Sequence, residues 1–166
     1  MGTAKIATAP KAEHIECVAK ATTDIFNITC GLSLNPIDKD ENLADDGVII
    51  AIISLVGDVE WAVFLGLPRE TATAVAAKFA GFEIPFDSED MGDAIGELAN
   101  ILGGQVKTLL DRRSVKANIS LPSVMRAENM HVLIQRSVSG VKTCFDSELG
   151  KLWTGAAVGN GAGVVM

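Results

Sequence analysis

Residues 87–113 read DSEDMGDAIGELANILGGQVKTLLDRR, and their spacing predicts one long amphipathic helix. The apolar residues recur at steps of three and four, which is typical of a single buried stripe. They are Ile95, Leu98, Leu102, Val106 and Leu109. The helix should begin after Asp87 or Ser88, because both residue types cap helix N-termini. The next two residues, Glu89 and Asp90, are acidic, which is favourable at the positive end of the helix dipole.

The opposite side of this helix carries a row of four residues, here called the polar row. At about 100° per residue they fall within a sector of roughly 60°, and they are Asp93, Glu97, Asn100 and Gly104. Three more glycines flank the row: Gly92, Gly96 and Gly103. An interior glycine costs about 1 kcal/mol relative to alanine, so solubility alone does not explain this composition. Small residues allow close approach by another group, which indicates a functional face.

The rest of the chain predicts a sheet and two further helices. Residues 47–56 and 59–67 are β-rich and are separated by Gly57-Asp58, a hairpin signal. Residues 10–30, followed by Gly31, predict a first long helix, and residues 68–81 a shorter one. After residue 113 the chain reads as strands separated by turns, with Pro122 at a strand end or a sheet edge. We therefore predict an α+β fold, with two long helices and a shorter one packed on a largely antiparallel sheet.

The length of 166 residues fits a single domain. We place it at residues 10–158, with a flexible tail over residues 1–9 and a glycine-rich strand end or tail over residues 159–166. The net charge of −7 argues against nucleic acid or an anionic membrane as a partner. We find no signal peptide and no apolar run long enough to cross a membrane, so we expect a cytoplasmic protein. Cys17, Cys30 and Cys144 lack a pairing pattern and should be reduced, buried and inert.

Few chemistries fit the residues outside the polar row. His14 and His131 are the only histidines, and their spacing argues against a zinc site or a histidine relay. No glycine-rich phosphate loop precedes a helix. What remains is an acid, Glu97, three residues before a carboxamide, Asn100. The acid can pair with a cation on a partner, and the amide can orient a water molecule at any pH. A solvated helix face without a specific role is the alternative interpretation.

A second copy of this pattern lies in the first helix. Residues 21–31, ATTDIFNITCG, align with residues 94–104, AIGELANILGG. The identities are Ala21 with Ala94, Asn27 with Asn100, Ile28 with Ile101 and Gly31 with Gly104. Asp24 falls on Glu97 as a shorter acid, whereas Lys20 stands where Asp93 does. Coincidence and an ancient duplication are both open; a duplication would make the first helix the degenerate copy.

The motif Asp93-x-x-x-Glu97-x-x-Asn100, followed by Pro122, resembles that of the CheC/CheX chemotaxis phosphatases. The phrase GDAIGELANILGG is similar to the CheX-type active-site helix, and the resemblance covers most of residues 10–158. CheC-type members carry two such motifs and CheX-type members one. The degenerate residues 24–27 place this chain with the single-site, CheX-like group.

The resemblance implies a phosphatase that hydrolyses the aspartyl phosphate of a response-regulator receiver domain such as CheY. Glu97 would pair with a lysine of the receiver, and Asn100 would position the attacking water. Further partner-binding residues are expected beside them: Asp93, Gly96, Gly103 and Gly104. The protein would carry no cofactor of its own, with Mg²⁺ held by the receiver, and would form a homodimer.

Two other functions fit the same fold. A non-catalytic adaptor, like the flagellar-switch relatives, would use the polar row for docking. A small-ligand sensor or structural dimer would leave Glu97 and Asn100 without a role. An intact pair of Glu97 and Asn100 favours the phosphatase, because an adaptor does not need it.

Overall fold

The computed structural model describes residues 11–38, 46–128 and 138–159. The predicted tail at residues 1–9 lies outside these ranges, as do residues 160–166 and most of the predicted strand at residues 131–138. The described elements are, in chain order, α1 (Ala12–Cys30), β1 (Asn35–Ile37), β2 (Val48–Gly57), β3 (Glu60–Pro68), α2 (Arg69–Ala80), α3 (Glu89–Asp111), β4 (Ala117–Ile119), β5 (Ser123–Ala127), β6 (Val138–Asp146) and β7 (Leu152–Gly159).

The predicted α+β architecture is confirmed. The strands form one seven-stranded sheet in the order β1-β6-β7-β3-β2-β4, with β5 also paired to β2. All of these pairings are antiparallel. The helices pack on this sheet around a single core. None of the helices in the described ranges combines the length and the hydrophobicity that a membrane crossing requires.

β2 and β3 form the predicted hairpin, with Val56 opposite Glu60 across the turn. Gly57 is required there, because a side chain would collide with the backbone of Lys116. β2 has hydrogen-bonded neighbours on both sides, β3 on one and β4 and β5 on the other. Alternate residues of β2 enter the core beneath the helices. They are Ile49, Ala51, Ile53 and Leu55.

Local sequence signals set the helix ends. Gly31 caps the C-terminus of α1 and Gly81 that of α2, with φ of 61° and 83°, the left-handed conformation that glycine adopts without strain. α3 begins after Ser88, whose side chain accepts a hydrogen bond from the amide of Met91 at 3.3 Å. The whole predicted apolar stripe of α3 is buried. The apolar side of α3 therefore faces the core, where α3 packs against β2, β4, β5 and the other two helices.

Candidate functional site

The polar row lies on the side of α3 opposite its buried apolar stripe. Asp93 and Glu97 are exposed, and Asn100 is half-buried at the helix surface. The apolar stripe holds the other side of α3 in the core. The predicted exposure of Glu97 is confirmed, whereas Asn100 is only partly exposed, and the roles of both residues remain predictions.

The acid and the amide of the row are not engaged by the protein itself. Within the described part of the chain, the side chains of Glu97 and Asn100 have no hydrogen-bond or ion-pair partner. The two residues lie one helical turn apart on a regular helix, so their side chains project in the same direction. The pair can therefore engage a second molecule without first breaking an internal contact.

Two arginines fix the start of α3, and sequence analysis missed both. Arg126 of β5 donates hydrogen bonds from Nη1 to the carbonyls of Phe86 at 2.9 Å and Ser88 at 3.0 Å. The guanidinium of Arg69 lies 4.2 Å from the centroid of the Phe86 ring. It also forms an ion pair with Asp87 at 3.3 Å. These contacts join distant parts of the chain, so no local spacing in the sequence indicates them.

The structure corrects the placement of two glycines that were predicted to contact a partner. Gly96 and Gly103 are buried on the sheet side of α3. A Cβ atom on Gly96 would lie 3.4 Å from Val124 Cγ2, and one on Gly103 would lie 3.1 Å from Ile53 Cδ1. The groups that approach these glycines thus belong to the protein's own sheet. Gly104, in contrast, faces open space.

The related motif on α1 is arranged differently. Lys20 Nζ lies 3.1 Å from both carboxylate oxygens of Asp24, and Gln105 of α3 donates to Asp24 at 3.3 Å. Asn27 is exposed. Asp24, Asn27 and Gln105 border a cleft of about 420 Å³ between α1, α3 and the chain that follows α1. Asp24 is therefore already paired, unlike Glu97.

The described residues contain no group of three histidine, cysteine or acidic side chains placed to hold a metal ion. The three cysteines are buried and unbridged, as predicted. Burial raises the pKa of the Cys17 and Cys30 thiols.

Solved structures of the same architecture define the class of the fold. A CheC-like superfamily protein from Shewanella sp. PV-4 has a TM-score of 0.75 and 17% identity, over 89% of this chain and 98% of that chain. The chemotaxis protein CheX from Vibrio vulnificus has a TM-score of 0.74 and 15% identity, over 90% of this chain and 98% of that chain. The fold is therefore CheC-like.

The family follows from the sequence itself. The family model of the chemotaxis phosphatase CheX matches residues 49–146, more than half of the chain, and the chain belongs to this family. The matched residues include the whole of α3. No curated protein matches the chain in sequence. A chain of the CheX–CheY–BeF3–Mg²⁺ complex from Borrelia burgdorferi is also similar, with a TM-score of 0.67 and 22% identity, over 86% of this chain and 95% of that chain.

Proposed function

We propose that this protein accelerates hydrolysis of the aspartyl phosphate on a CheY-like response-regulator receiver domain. Membership in the family of the chemotaxis phosphatase CheX supports the reaction class. The similar CheX that forms a complex with CheY supports the class of partner. The observation that carries the proposal is the accessible pair of Glu97 and Asn100, held on a helix whose other side is buried.

In the proposed reaction, Asn100 enters the receiver's phosphorylation site and orients one water molecule. The water oxygen attacks phosphorus, the bond from phosphorus to the aspartyl oxygen breaks, and inorganic phosphate and the receiver's carboxylate are released. Phosphoryl transfer depends mostly on positioning and charge. A neutral amide can hold water beside an anionic phosphoryl group without repelling it. A hundredfold acceleration requires about 2.7 kcal/mol, which one well-placed hydrogen-bonding group can supply.

Glu97 would pair with a lysine beside the receiver's phosphorylated aspartate. Such a pair across an interface fixes the orientation of the partners and speeds their association. Asp93 and Gly104 lie on the same exposed side of α3 and complete the proposed contact surface. Mg²⁺ would be supplied by the receiver, so the protein needs no metal site of its own.

The direct test follows the decay of phosphorylated receiver domains from the same organism, with and without the protein. We expect wild-type protein to accelerate the decay of at least one receiver. The variant Asn100→Ala should lose the acceleration while keeping the circular dichroism spectrum and melting temperature. Loss of folding in Asn100→Ala would show that the residue is structural. A wild-type protein that binds phosphorylated receiver without accelerating decay would establish the adaptor alternative.

The expected homodimer is a separate part of the proposal. Light scattering on the purified protein across a range of concentrations tests it, and a molecular mass of one chain throughout would contradict it.

A further inference from the structure

The strand at the edge of the sheet is interrupted beside α3. β4 and β5 both pair with β2, where Leu55 lies opposite Ile119 and Ile52 lies opposite Ser123. Ile52 and Leu55 are three residues apart in β2, whereas their partners Ser123 and Ile119 are four residues apart. The edge strand therefore contains one extra residue. This is a β-bulge, a feature that redirects side chains and is frequent next to active sites. Pro122, which has no N–H to donate, lies within it.

Residues 120–122, here called the bulge loop, are held in a defined conformation. The amide of Ser120 donates to the carbonyl of Ser54 at 2.9 Å. The amide of Ser54 donates in return to Ser120 Oγ at 2.9 Å. The same hydroxyl donates to the carbonyl of Leu121 at 2.9 Å. Even so, Leu121 is 84% exposed, so an ordered loop presents a large apolar side chain to solvent.

The bulge loop runs along the flank of α3 beside the amide of the polar row. Ile119, just before the loop, would lie 3.7 Å from a Cβ atom on Gly103, and Val124, just after it, would lie 3.4 Å from one on Gly96. The loop therefore spans the part of α3 between these two glycines. At about 100° per residue, Asn100 lies between them along the helix and within roughly 60° of both. The bulge loop and Asn100 thus share one flank of α3.

We propose that Leu121 is an apolar anchor for the receiver domain that Asn100 enters; this inference rests on the proposed function. Stable interfaces place buried apolar side chains at their centre, next to the polar contacts that set orientation. The polar row supplies only the polar contacts. Among the described residues, Leu121 places a large exposed apolar side chain on this flank, and the fixed loop limits the entropy lost on binding.

Because Leu121 and Asn100 share one flank of α3, the molecule that contacts Leu121 should be the receiver domain. A second copy of this protein seated on Leu121 would cover Asn100 as well and would block the reaction. A receiver domain that contacts both residues would instead bring its phosphorylated aspartate to the amide. The receiver should therefore carry an apolar patch beside its phosphorylation site.

The variant Leu121→Ser tests the anchor, with Val56→Ser as the matched control. Val56 is 57% exposed and follows Leu55, so its side chain points to the opposite face of the sheet. We expect Leu121→Ser to raise the receiver concentration for half-maximal acceleration about tenfold, with the maximal rate within twofold of wild type. Leu121→Met and Val56→Ser should behave like wild type. An unchanged half-maximal concentration in Leu121→Ser, or an equal change in Val56→Ser, would overturn the proposal.

A binding measurement separates this inference from the proposed function. The probe is the receiver domain with bound BeF3 and Mg²⁺, used as a stable mimic of the phosphorylated form. Wild-type protein that binds the probe but leaves phosphoryl decay unchanged would refute the phosphatase and not the anchor. Binding weakened about tenfold by Leu121→Ser would then support the role of Leu121 as an anchor. Unchanged binding would contradict that role. Wild-type protein that binds none of the receivers would overturn both.

Discussion

α1 and α3 carry the same spacing of acid and amide but differ in whether the acid is available. On α3, Glu97 is exposed and has no partner within the described residues. On α1, Asp24 is held by Lys20 and Gln105. The difference arises from the residue one turn before each acid. On α1 this residue is Lys20, which can reach the carboxylate of Asp24, whereas on α3 it is Asp93. Spacing alone therefore does not make a site; the residue one turn before the acid decides whether it can meet a partner.

The amides of the two helices also differ in their surroundings. α1 ends at Cys30, and the carbonyl of Asn27 accepts a hydrogen bond from the amide of Gly31 at 2.9 Å. Asn27 thus belongs to a helix terminus. Asn100 lies in the interior of α3, which continues to Asp111. An amide in the middle of a packed helix has a more rigid support than one at a helix terminus, which suits the role proposed for Asn100.

The largest expected effect separates the two amides. Asn100→Asp keeps the size of the side chain but places a carboxylate against the phosphoryl group and removes the donor of the amide. We expect acceleration of receiver dephosphorylation to fall at least about a hundredfold, equivalent to about 2.7 kcal/mol. Asn27→Asp should stay within twofold of wild type. Equal activity in the two variants would remove the functional distinction between α1 and α3.

The next comparison separates the two acids. Glu97→Ala should raise the receiver concentration for half-maximal acceleration about tenfold, because a charge pair with the receiver is lost. Higher protein concentrations should restore most of the rate. Asp24→Ala removes an acid that is already paired internally, so its half-maximal concentration should match wild type. A rate for Glu97→Ala that stays low at saturation would assign Glu97 to the chemical step.

The aligned glycines should respond to alanine with opposite signs. Gly31 has a φ of 61°, so Gly31→Ala should lower the free energy of unfolding by about 1–2 kcal/mol. Gly104 is helical and faces open space, so Gly104→Ala should raise it by about 1 kcal/mol. Urea denaturation measures both changes. A stabilising Gly31→Ala would contradict the capping role.

Gly92→Ala serves as the control for a functional role of Gly104. Gly92 also lies in α3 and faces open space, so both substitutions should stabilise the helix similarly. Only Gly104→Ala should weaken receiver binding, because Gly104 belongs to the polar row. Equal binding by the two variants would remove Gly104 from the proposed contact surface.

The smallest effect concerns the thiols of α1. Burial raises the pKa of Cys17 and Cys30, so little thiolate forms near neutral pH. Alkylation of the folded protein should be slower than that of the urea-unfolded chain. As pH rises, reactivity in the folded state should increase at a higher pH than in the unfolded state, because a raised pKa delays ionisation. Similar rates and pH dependence in both states would contradict the burial effect.

Local patterns in the sequence predicted most of the fold. The apolar stripe of α3, the glycines that end α1 and α2, and the turn at Gly57 each depend on neighbouring residues, and the structure confirms them. The exposure of Glu97 and the partial exposure of Asn100 follow from the same helical geometry. These features need no knowledge of what packs against the helix.

The unpredicted features depend on neighbours that are distant in the chain. Gly96 and Gly103 lie only about 40–60° from Asn100 around the helix. Whether they are buried or exposed therefore depends on how the sheet packs against α3. The hydrogen bond from Gln105 to Asp24 joins two helices. The arginine contacts at the start of α3 and the extra residue in the edge strand likewise arise only from the assembled sheet.

Ile53 has a consequence for how the site can be tuned. Its side chain packs under Gly103, and its backbone lies between the β2 residues that pair with the two sides of the bulge loop. This one side chain therefore limits how closely α3 can approach β2 at Gly103. We expect a larger residue at position 53 to press on Gly103 and displace α3 from β2, which would move Asn100 without altering any residue of the polar row.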